Sequence, residues 1–584
     1  MSKKEAMEMR IKMDESPRPQ LLQGEWVSLN GPWSFLFDDL DQGLEKGYQE
    51  ALPSPREIIV PFAYQTPSSG IGDTTRHDHV WYQKDIEVRD LSKRHILHFE
   101  GADYHLTLFV NGNKAGEDHG AYHRMSFDIT PYLAIGNNRL SVKCDDDYSK
   151  AKPRGKQRYK DESFACWYVD TTGIYKECWL EVVGPSYLSD LRLWPSVKTK
   201  SVILDLRGVA KKAKAKIKYR GETLGEAEAD FDNGQATLSL SVKGDLRLWD
   251  VGKPELYDIE ISLDGQKPVM TYCAFREIEA KGGKVYLNGH PLYQQLILDQ
   301  GYWRDSGLTP PSNKALLDDI KAMMEMGFNG ARKHQKVEDE RFLYYADCLG
   351  YLVWAEMPSM YELTDASKEE LKREWLLSVA QQLSHPCVIC YVPFNESWGV
   401  YDIGKSKDVQ NYVDEVVNAT KALDPTRFVI SNDGWEHTTS SLITLHHYEQ
   451  DAKKFAIGFA NREDVLSKVF DYSGKKALAD GYEYKGQPIL LTEYGGAAYD
   501  ADTKNNGNWG YGKTVCDEES FIARYDELTS FIASLPYCEG YCYTQLSDVE
   551  QEVNGLLTSD RRPKADPRRI AAINEKAAKL HFGQ

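Results

Sequence analysis

The chain has 584 residues, with 71 Lys and Arg against 89 Asp and Glu, so its formal net charge is −18. This acidic balance argues against nucleic acid, whose phosphates need a basic protein face, and against an anionic membrane surface. Hydrophobic residues reach 41%, enough for sizeable cores, and aromatic residues reach 11%, which fits either core packing or a lining for sugar rings.

The first 20 residues, MSKKEAMEMRIKMDESPRPQ, contain no apolar segment typical of a secretory signal. No stretch approaches the ~18 apolar residues of a membrane span. We therefore expect a cytoplasmic protein whose ten cysteines are reduced thiols. Cys387 and Cys390 form a CxxC pair, but no second pair follows at zinc-ligand spacing, so we interpret both as core residues.

Residues 1–185 show the pattern of a β domain. Apolar residues alternate between Leu106 and Val110, and Asn111-Gly112 follows them. Alternation followed by Asn-Gly is a strong β-hairpin signal. The sequence Gly-Pro-Ser at 184–186 marks the expected end of this domain.

Residues 186–278 show further β patterning, with alternation in 238–242 and 257–263. A segment this short with such strands predicts a small sandwich of immunoglobulin size. The run KKAKAKIK at 211–218 resembles a binding patch, but we interpret it as a lysine-guarded edge strand.

From residue 279 to 584 the pattern becomes mixed α/β. Residues 316–324 carry apolar side chains on one helical face after Ser312, and 371–383 repeat that spacing. Eight short apolar runs lie mostly between such helices, and this number predicts a (β/α)₈ barrel. The runs are 293–299, 327–334, 351–358, 388–397, 428–434, 443–448, 488–496 and 540–548.

Active sites of such barrels lie at the C-terminal ends of the strands. Two carboxylates at these ends stand out, Glu396 after the fourth run and Glu493 on the seventh. Paired carboxylates without a metal motif suit glycoside hydrolysis, so we expect no metal and no cofactor. Other polar residues end the same runs: Asp299, Arg332, His334, Glu356, Asn395, Asn432, Asp433, His446, His447, Tyr448 and Asp548.

Several motifs resemble glycoside hydrolase family 2. FNESWG at 394–399 resembles its acid/base motif, and TEYGG at 492–496 resembles its nucleophile motif. Further similar segments, in the family's order, are GPWSF at 31–35, GIYKECWLEV at 173–182, LNGHPLY at 287–293 and NGARKH at 329–334.

The resemblance covers nearly the whole chain and implies three domains. These are a jelly-roll-like sugar-binding-type β-sandwich (1–185), an immunoglobulin-like β-sandwich (186–278) and a catalytic (β/α)₈ TIM barrel (279–584). The implied activity is that of a retaining exo-β-glycosidase with a carbohydrate substrate. By analogy with the family, a homo-oligomer is also an expectation.

Carried over by position, the resemblance makes Glu396 the general acid/base and Glu493 the nucleophile. Asn395 is expected to bind the 2-hydroxyl of the sugar, while Tyr448 and Arg332 lie beside Glu493. The remaining candidates for substrate contact are His334, Asp299, His446 and Glu552, together with three tryptophans that are as well explained by packing: Trp398, Trp435 and Trp354.

The identity of the sugar is left open between two classes. Lys333 and Lys336 lie near the predicted mouth, where their positive charges could bind a uronic acid or face solvent. Against it, Glu552 and Asn554 stand where β-glucuronidases of the family carry an Asn-x-Lys that holds the substrate carboxylate. A glutamate at about 4 Å would repel that carboxylate by about 4 kcal/mol at an effective dielectric constant of about 20.

The segment DVEQEVNGLLTSDR resembles β-galactosidase-type members, so a neutral sugar, galactose first, is favoured. The alternatives are a β-uronidase (β-glucuronidase or β-galacturonidase), a family 2 enzyme acting on arabinosides or galactofuranosides, and a catalytically inactive carbohydrate-binding protein.

Overall fold

The computed structural model describes residues 16–470, 473–499 and 507–583. Residues 1–15, which carry most of the segment examined for a secretory signal, lie outside the described residues. Within the described ranges, no helix combines the length and the hydropathy that crossing a bilayer requires.

The first domain is a sandwich of two antiparallel sheets around one apolar core. The predicted hairpin is confirmed, since His105–Val110 pairs with Asn113–His119 across Asn111-Gly112. In spatial order, one sheet contains Arg56–Val60, Gly31–Phe37, His79–Val88, Gly136–Asp145, His105–Val110 and Asn113–His119; the other contains Glu25–Ser28, Cys178–Val183, Arg94–Phe99 and Met125–Asp128.

The second domain is a smaller antiparallel sandwich, as predicted. In spatial order its sheets contain Tyr187–Ser196, Ser201–Val209 and Gln235–Ser241 on one side, and Glu222–Asp230, Lys212–Tyr219, Tyr257–Leu263 and Val269–Cys273 on the other. The expected domain boundaries at 185 and 278 remain a prediction.

The prediction of an edge strand at 211–218 is wrong. The strand Lys212–Tyr219 pairs on both sides, with Glu222–Asp230 and with Tyr257–Leu263. Its lysines alternate with buried alanines and face outward, where Lys212 meets Glu228 at 2.8 Å. The lysines therefore mark a solvent-facing side of a paired strand.

The third domain is the predicted TIM barrel, and each of the eight apolar runs overlaps one of its strands. A small antiparallel sheet precedes it, formed by Ile278–Lys281, Lys284–Leu287 and His290–Pro291. The barrel strands are β1 (Gln294–Asp299), β2 (Gly330–Lys333), β3 (Leu352–Glu356), β4 (Val388–Val392), β5 (Phe428–Val429), β6 (Ile443–His446), β7 (Ile489–Gly495) and β8 (Cys538–Thr544).

The barrel strands run parallel in the order β5-β4-β3-β2-β1-β8-β7-β6. Between β5 and β6, Ser441 N donates a hydrogen bond to Val429 O at 2.9 Å, which joins the two ends of the sheet. Two short strand pairs follow β6 and β7, namely Val469–Phe470 with Lys475–Lys476, and Ala497–Tyr499 with Tyr511–Val515.

The helices of the barrel include those predicted from sequence. The first begins after Ser312, whose side chain caps it by accepting from Ala315 N. The helices are α1 (Asn313–Glu325), α2 (Glu340–Leu349), α3 (Asp365–Gln382), α4 (Lys407–Leu423), α5 (Ala452–Phe455), α6 (Arg462–Ser467), α7 (Glu518–Ala533) and α8 (Pro567–His581).

A loop of the first sandwich, residues 154–168, lies against the C-terminal side of the barrel; we call it the sandwich loop. Arg154 N donates to Ser359 O at 2.9 Å, and the Tyr361 hydroxyl donates to Gly155 O at 2.5 Å. On the opposite side, Gln551 donates to Trp167 O at 3.2 Å. The first domain therefore contributes to the surroundings of the barrel mouth.

Candidate active site

Glu396 follows strand β4 in an unusual backbone conformation. Glu396 and Ser397 have φ values of 50° and 61°, in the left-handed region that costs a non-glycine residue about 1–3 kcal/mol. Neighbouring groups hold this turn, because Glu396 N donates to Asp433 O and Ser397 N donates to the Asn432 side chain, each at 2.9 Å. These hydrogen bonds hold the backbone of Glu396 in this conformation at the C-terminal end of β4.

Glu396 and Glu493 meet across the barrel mouth. Carboxylate oxygens of the two residues and a ring nitrogen of His446 all lie within 4.8 Å of one another. Retaining glycosidases place their carboxyl groups about 5–5.5 Å apart, and inverting ones about 6.5–9.5 Å. The spacing here fits a retaining pair.

Glu493 is held as a carboxylate. The Arg332 guanidinium donates to its Oε1 at 2.7 Å, and the Tyr448 hydroxyl donates to its Oε2. Burial raises the pKa of Glu493, but the His446 and Arg332 charges outweigh it and lower that pKa to about 2. Glu493 is therefore ionised and able to attack as a nucleophile at neutral pH.

Arg332 on β2 contacts five polar side chains at the centre of the barrel. Besides Glu493 it lies 2.7 Å from Glu356, 2.9 Å from Asp433 and 3.2 Å from His334 Nδ1, and it donates to the Asn395 carbonyl oxygen at 2.6 Å. It is fully buried. The Asn395 side-chain nitrogen is buried and has no hydrogen-bond partner among the described residues, so this donor is available for a ligand hydroxyl.

Replacing Arg332 with methionine should destabilise the protein by about 3–5 kcal/mol, because three buried carboxylates would lose their cation. The stability of Arg332→Lys should lie between that of Arg332→Met and that of the unmodified protein, since a lysine keeps the positive charge but not the planar set of guanidinium donors. The thermal unfolding midpoint would measure both. Arg568→Met is the matched control, because that side chain is 84% exposed; equal midpoints for the two methionine variants would contradict the prediction.

His446, at the end of β6, lies between the carboxylates. Its Nδ1 is 2.8 Å from Glu396 Oε1 and 3.4 Å from Glu493 Oε2, while its Nε2 is 2.9 Å from Asp433 Oδ2. Burial lowers the pKa of His446, yet the Glu493 and Asp433 carboxylates raise it to about 10. The ring is fully buried and contacts three carboxyl groups, while its contact with a sugar remains a prediction.

Glu396 and Glu493 both line a cavity that is open to solvent. Four other predicted residues line it, namely His334, Trp398, Tyr448 and Glu552. The Tyr511 ring stacks on the Tyr448 ring with centres 3.5 Å apart. The lining residues that sequence analysis missed are Lys156, Cys166, Leu298, Gln300, Tyr511 and Thr544.

Lys156 and Glu552 bring opposite charges to this cavity from two domains. Lys156 belongs to the sandwich loop, and its ammonium lies 5.2 Å from the Trp398 ring centre. Burial lowers the pKa of Lys156, but Cys166, Glu552 and Glu493 raise it overall. Glu552 accepts hydrogen bonds from the Tyr168 hydroxyl and, at 2.9 Å, from Asn554.

The interpretation of Lys333 and Lys336 as residues of the mouth is wrong, because both are buried and paired. Lys333 bonds Asp299 and lies 2.7 Å from Glu338. Lys336 donates to the backbone oxygens of Gly301 and Leu308 at 2.7 and 2.9 Å, and burial lowers its pKa to about 8. These lysines support the inner structure of the barrel.

Three further candidates make contacts other than those expected. Asp299 bonds Lys333 and accepts from Gly301 N at 2.8 Å, which occupies the carboxylate proposed for a sugar hydroxyl. Trp435 packs edge-on against the His446 ring with centres 5.6 Å apart. Trp354 is fully buried and donates to Gln294 at 2.9 Å, so it is a core residue.

Metal-binding potential is limited to two groups in the described part of the chain. One is Glu396, His446 and Glu493. The other is Asp41, His79 and Asp145 in the first sandwich, where the Lys143 ammonium lies 2.7 Å from both aspartates and already supplies a positive charge.

Comparison with known sequences gives matches along most of the chain. Residues 26–180 match "Glycosyl hydrolases family 2, sugar binding domain", residues 186–275 match "Glycosyl hydrolases family 2", and residues 278–577 match "Glycosyl hydrolases family 2, TIM barrel domain".

The similar curated proteins include both β-galactosidases and β-glucuronidases. A β-galactosidase of Thermoanaerobacter pseudethanolicus is 25% identical over 82% of this chain and 62% of its own length. A β-glucuronidase of Streptococcus agalactiae is 23% identical over 92% of this chain and 94% of its own length. The chain spans only 62%, 54% and 54% of three of the curated relatives it matches.

Solved structures share the fold. A Ruminococcus gnavus β-glucuronidase in complex with D-glucuronic acid aligns with a TM-score of 0.76 at 18% identity, covering 95% of this chain and 97% of the other. An uncultured Clostridium β-glucuronidase gives 0.76 at 19% identity, covering 96% and 100%.

Proposed function

The chain belongs to glycosyl hydrolase family 2, and we propose that it is a retaining exo-β-glycosidase that removes a terminal neutral sugar, with galactose as the first candidate. The observation that carries the proposal is the approach of Glu396 and Glu493 within 4.8 Å at the barrel mouth. Their surroundings differ, because Glu493 bonds a guanidinium and a tyrosine hydroxyl whereas Glu396 borders a histidine.

In the first step, a Glu493 oxygen attacks the anomeric carbon and the bond from that carbon to the leaving oxygen breaks. Glu396 gives its proton to the leaving oxygen, so the aglycone departs as a neutral alcohol. Asn395 has a free side-chain donor beside Arg332, where it would bind the 2-hydroxyl as charge develops on the sugar.

In the second step, water attacks the anomeric carbon of the glycosyl–Glu493 ester. Glu396, now a carboxylate, takes a proton from that water, and the hydroxyl joins the carbon as the ester bond breaks. Two inversions give a product with the configuration of the substrate. The partial exposure of the Glu396 side chain, 18%, fits a group that meets both aglycone and water.

The charge on the wall of the cavity supports the choice of sugar. The Glu552 carboxylate on its wall would accept hydrogen bonds from sugar hydroxyls and would repel a uronic acid.

One observation favours a second candidate, a β-uronidase. Lys156 brings a buried ammonium to the same cavity, and the pKa of this lysine is raised by its neighbours despite burial. Lys156 would form an ion pair with a substrate carboxylate, the role predicted from sequence for Lys333 or Lys336. β-Glucuronidases among the relatives and structural neighbours are consistent with this candidate.

A panel of 4-nitrophenyl β-glycosides decides between the candidates, with galactoside, glucoside, mannoside, arabinoside, galactofuranoside and both uronides. We expect kcat/KM for the galactoside to exceed that for either uronide by at least about 100-fold, in line with the few kcal/mol of Glu552 repulsion. Faster turnover of a uronide would replace the first candidate by the second.

Two substitutions sharpen that panel. Glu552→Gln should lower kcat/KM for the neutral substrate about 10- to 100-fold and raise it for the uronides. Lys156→Met should abolish uronide turnover while changing neutral turnover less. Glu162→Gln and Lys160→Met are matched controls on exposed positions of the sandwich loop, and both should behave as the unmodified protein.

A further inference from the structure

The contact of His446 with Asp433 fixes the position of one of its ring protons. Asp433 forms an ion pair with the Arg332 guanidinium at 2.9 Å and accepts a hydrogen bond from the Thr492 hydroxyl at 2.9 Å, and the His446 Nε2 lies 2.9 Å away on the same carboxylate. The Arg332 and His446 charges hold the pKa of Asp433 far below its usual range, although burial opposes them. Since Asp433 is an anion, the Nε2 of His446 must carry a proton and donate it.

The other ring nitrogen faces a second carboxylate. With Nδ1 only 2.8 Å from Glu396 Oε1, at least one proton must lie between them, because two lone pairs would otherwise face each other. If Nδ1 holds that proton, His446 is an imidazolium that donates at both ends. Glu493 Oε2 at 3.4 Å adds a further negative charge on the same side of the ring.

The remaining groups around the ring are consistent with a positive charge on it. Trp435 covers the imidazole edge-on. His437 is nearby, and burial lowers its pKa to about 4, so it is neutral. Arg332 acts on the ring mainly through the carboxylates that both share, Asp433 and Glu493. Three carboxyl groups thus face His446, those of Glu396, Asp433 and Glu493.

We propose that His446, anchored by Asp433, is an imidazolium that orients the Glu396 carboxyl and stabilises its anion when Glu396 gives up its proton. The inference rests on the proposed function, because it assigns a task in the first step of that reaction. His446 is a positioning residue in this scheme, since it acts through Glu396.

The task follows from the atoms involved. The Nδ1–H bond holds Glu396 Oε1, which leaves Oε2 for the oxygen of the departing group. As the proton moves from Oε2 to that oxygen, negative charge grows on the carboxylate and strengthens the hydrogen bond from Nδ1–H. No proton leaves His446 in this step. In the second step, Glu396 takes a proton from water and the same hydrogen bond weakens.

The test compares two leaving groups on the sugar that turns over fastest. 2,4-Dinitrophenolate departs without a proton, whereas phenolate needs one from Glu396. His446→Phe should lower kcat/KM about 100-fold for the phenyl glycoside and less than about 5-fold for the dinitrophenyl glycoside. His446→Asn should recover part of the loss, because its amide donor replaces Nδ1–H without the charge.

Equal losses on both substrates would overturn the proposal, since they would place the effect of His446 on Glu493 or on folding. Turnover of the dinitrophenyl glycoside by the unmodified protein, and its loss in Glu493→Gln, test the proposed function separately. If the proposed function is wrong, the unmodified protein should show no turnover. If only the role of His446 is wrong, the ratio of kcat/KM for the two glycosides should be the same in His446→Phe as in the unmodified protein.

A measurement on the unmodified protein covers the case in which the His446 variants do not fold. In protein labelled with ¹⁵N-histidine, the resonances of His446 should show both ring nitrogens protonated at pH 8. They are assigned through His446→Asn or, without it, through their shift in Trp435→Phe. A neutral ring at pH 8 would overturn the proposal.

Discussion

Replacing Glu493 with glutamine is expected to lower kcat by at least about 10⁴-fold, the scale of loss seen when a nucleophile is removed from an enzyme active site. An amide oxygen in the same place accepts the hydrogen bond of Arg332 but cannot form a stable ester with the anomeric carbon. The loss should be as large for a 2,4-dinitrophenyl glycoside as for a phenyl glycoside, because every substrate must react with the nucleophile.

The control for this variant is Glu483→Gln, an exposed glutamate that precedes β7 in the chain. It should keep the kcat of the unmodified protein. If Glu493→Gln retained a tenth of the activity while its unfolding midpoint was unchanged, Glu493 would not be the nucleophile. Loss of turnover in both Glu493→Gln and Glu396→Gln also argues against a binding protein without activity.

Replacing Glu396 with alanine is expected to lower kcat/KM for a phenyl glycoside by about 10²–10⁴-fold, the usual contribution of a general acid. The dinitrophenyl glycoside should lose much less, because its leaving group needs no proton. Sodium azide should then accelerate the second step, since this small anion attacks the glycosyl ester without a base and occupies the space of the missing carboxyl group.

The product of that rescue is diagnostic. A β-glycosyl azide is expected, because azide would attack an α-linked ester on Glu493 and invert it. Glu362→Ala, at an exposed position after β3, is the control and should show neither the loss nor the azide product. An α-azide, or equal losses on both substrates, would contradict the assignment of Glu396.

The barrel and its two glutamates could be predicted from the sequence for a physical reason. Strands of a parallel barrel are buried on both faces, so they appear as short apolar runs. Where such a run ends, a polar residue has reached the mouth of the barrel. Glu396 and Glu493 both stand at such ends, after β4 and on β7, and folding brings them within 4.8 Å.

Neighbouring positions on one strand show where the same reasoning failed. Side chains alternate along a strand, so Arg332 and Lys333 point to opposite sides of β2. Arg332 reaches Glu493 inside the barrel, whereas Lys333 bonds Asp299 and Glu338. Proximity to the mouth in sequence therefore did not place Lys333 among the residues that line the cavity.

The contribution of the first domain to the cavity could not be predicted from any sequence pattern. Lys156 precedes the barrel by more than a hundred residues and has no apolar run or motif beside it. Only docking of the sandwich loop, through contacts such as Tyr361 with Gly155, brings it next to Trp398. The positive charge that favours the second candidate thus depends on how the two domains meet.

The central claim is that the reaction passes through a sugar covalently bound to Glu493. The direct test uses the 2-deoxy-2-fluoro-β-glycosyl fluoride of the sugar that turns over fastest, followed by mass spectrometry of the peptides. We expect one labelled peptide, heavier by the mass of the fluorosugar residue, with the sugar on Glu493. A label on Glu396 or on another residue, or no label together with an inverted hydrolysis product, would contradict the claim.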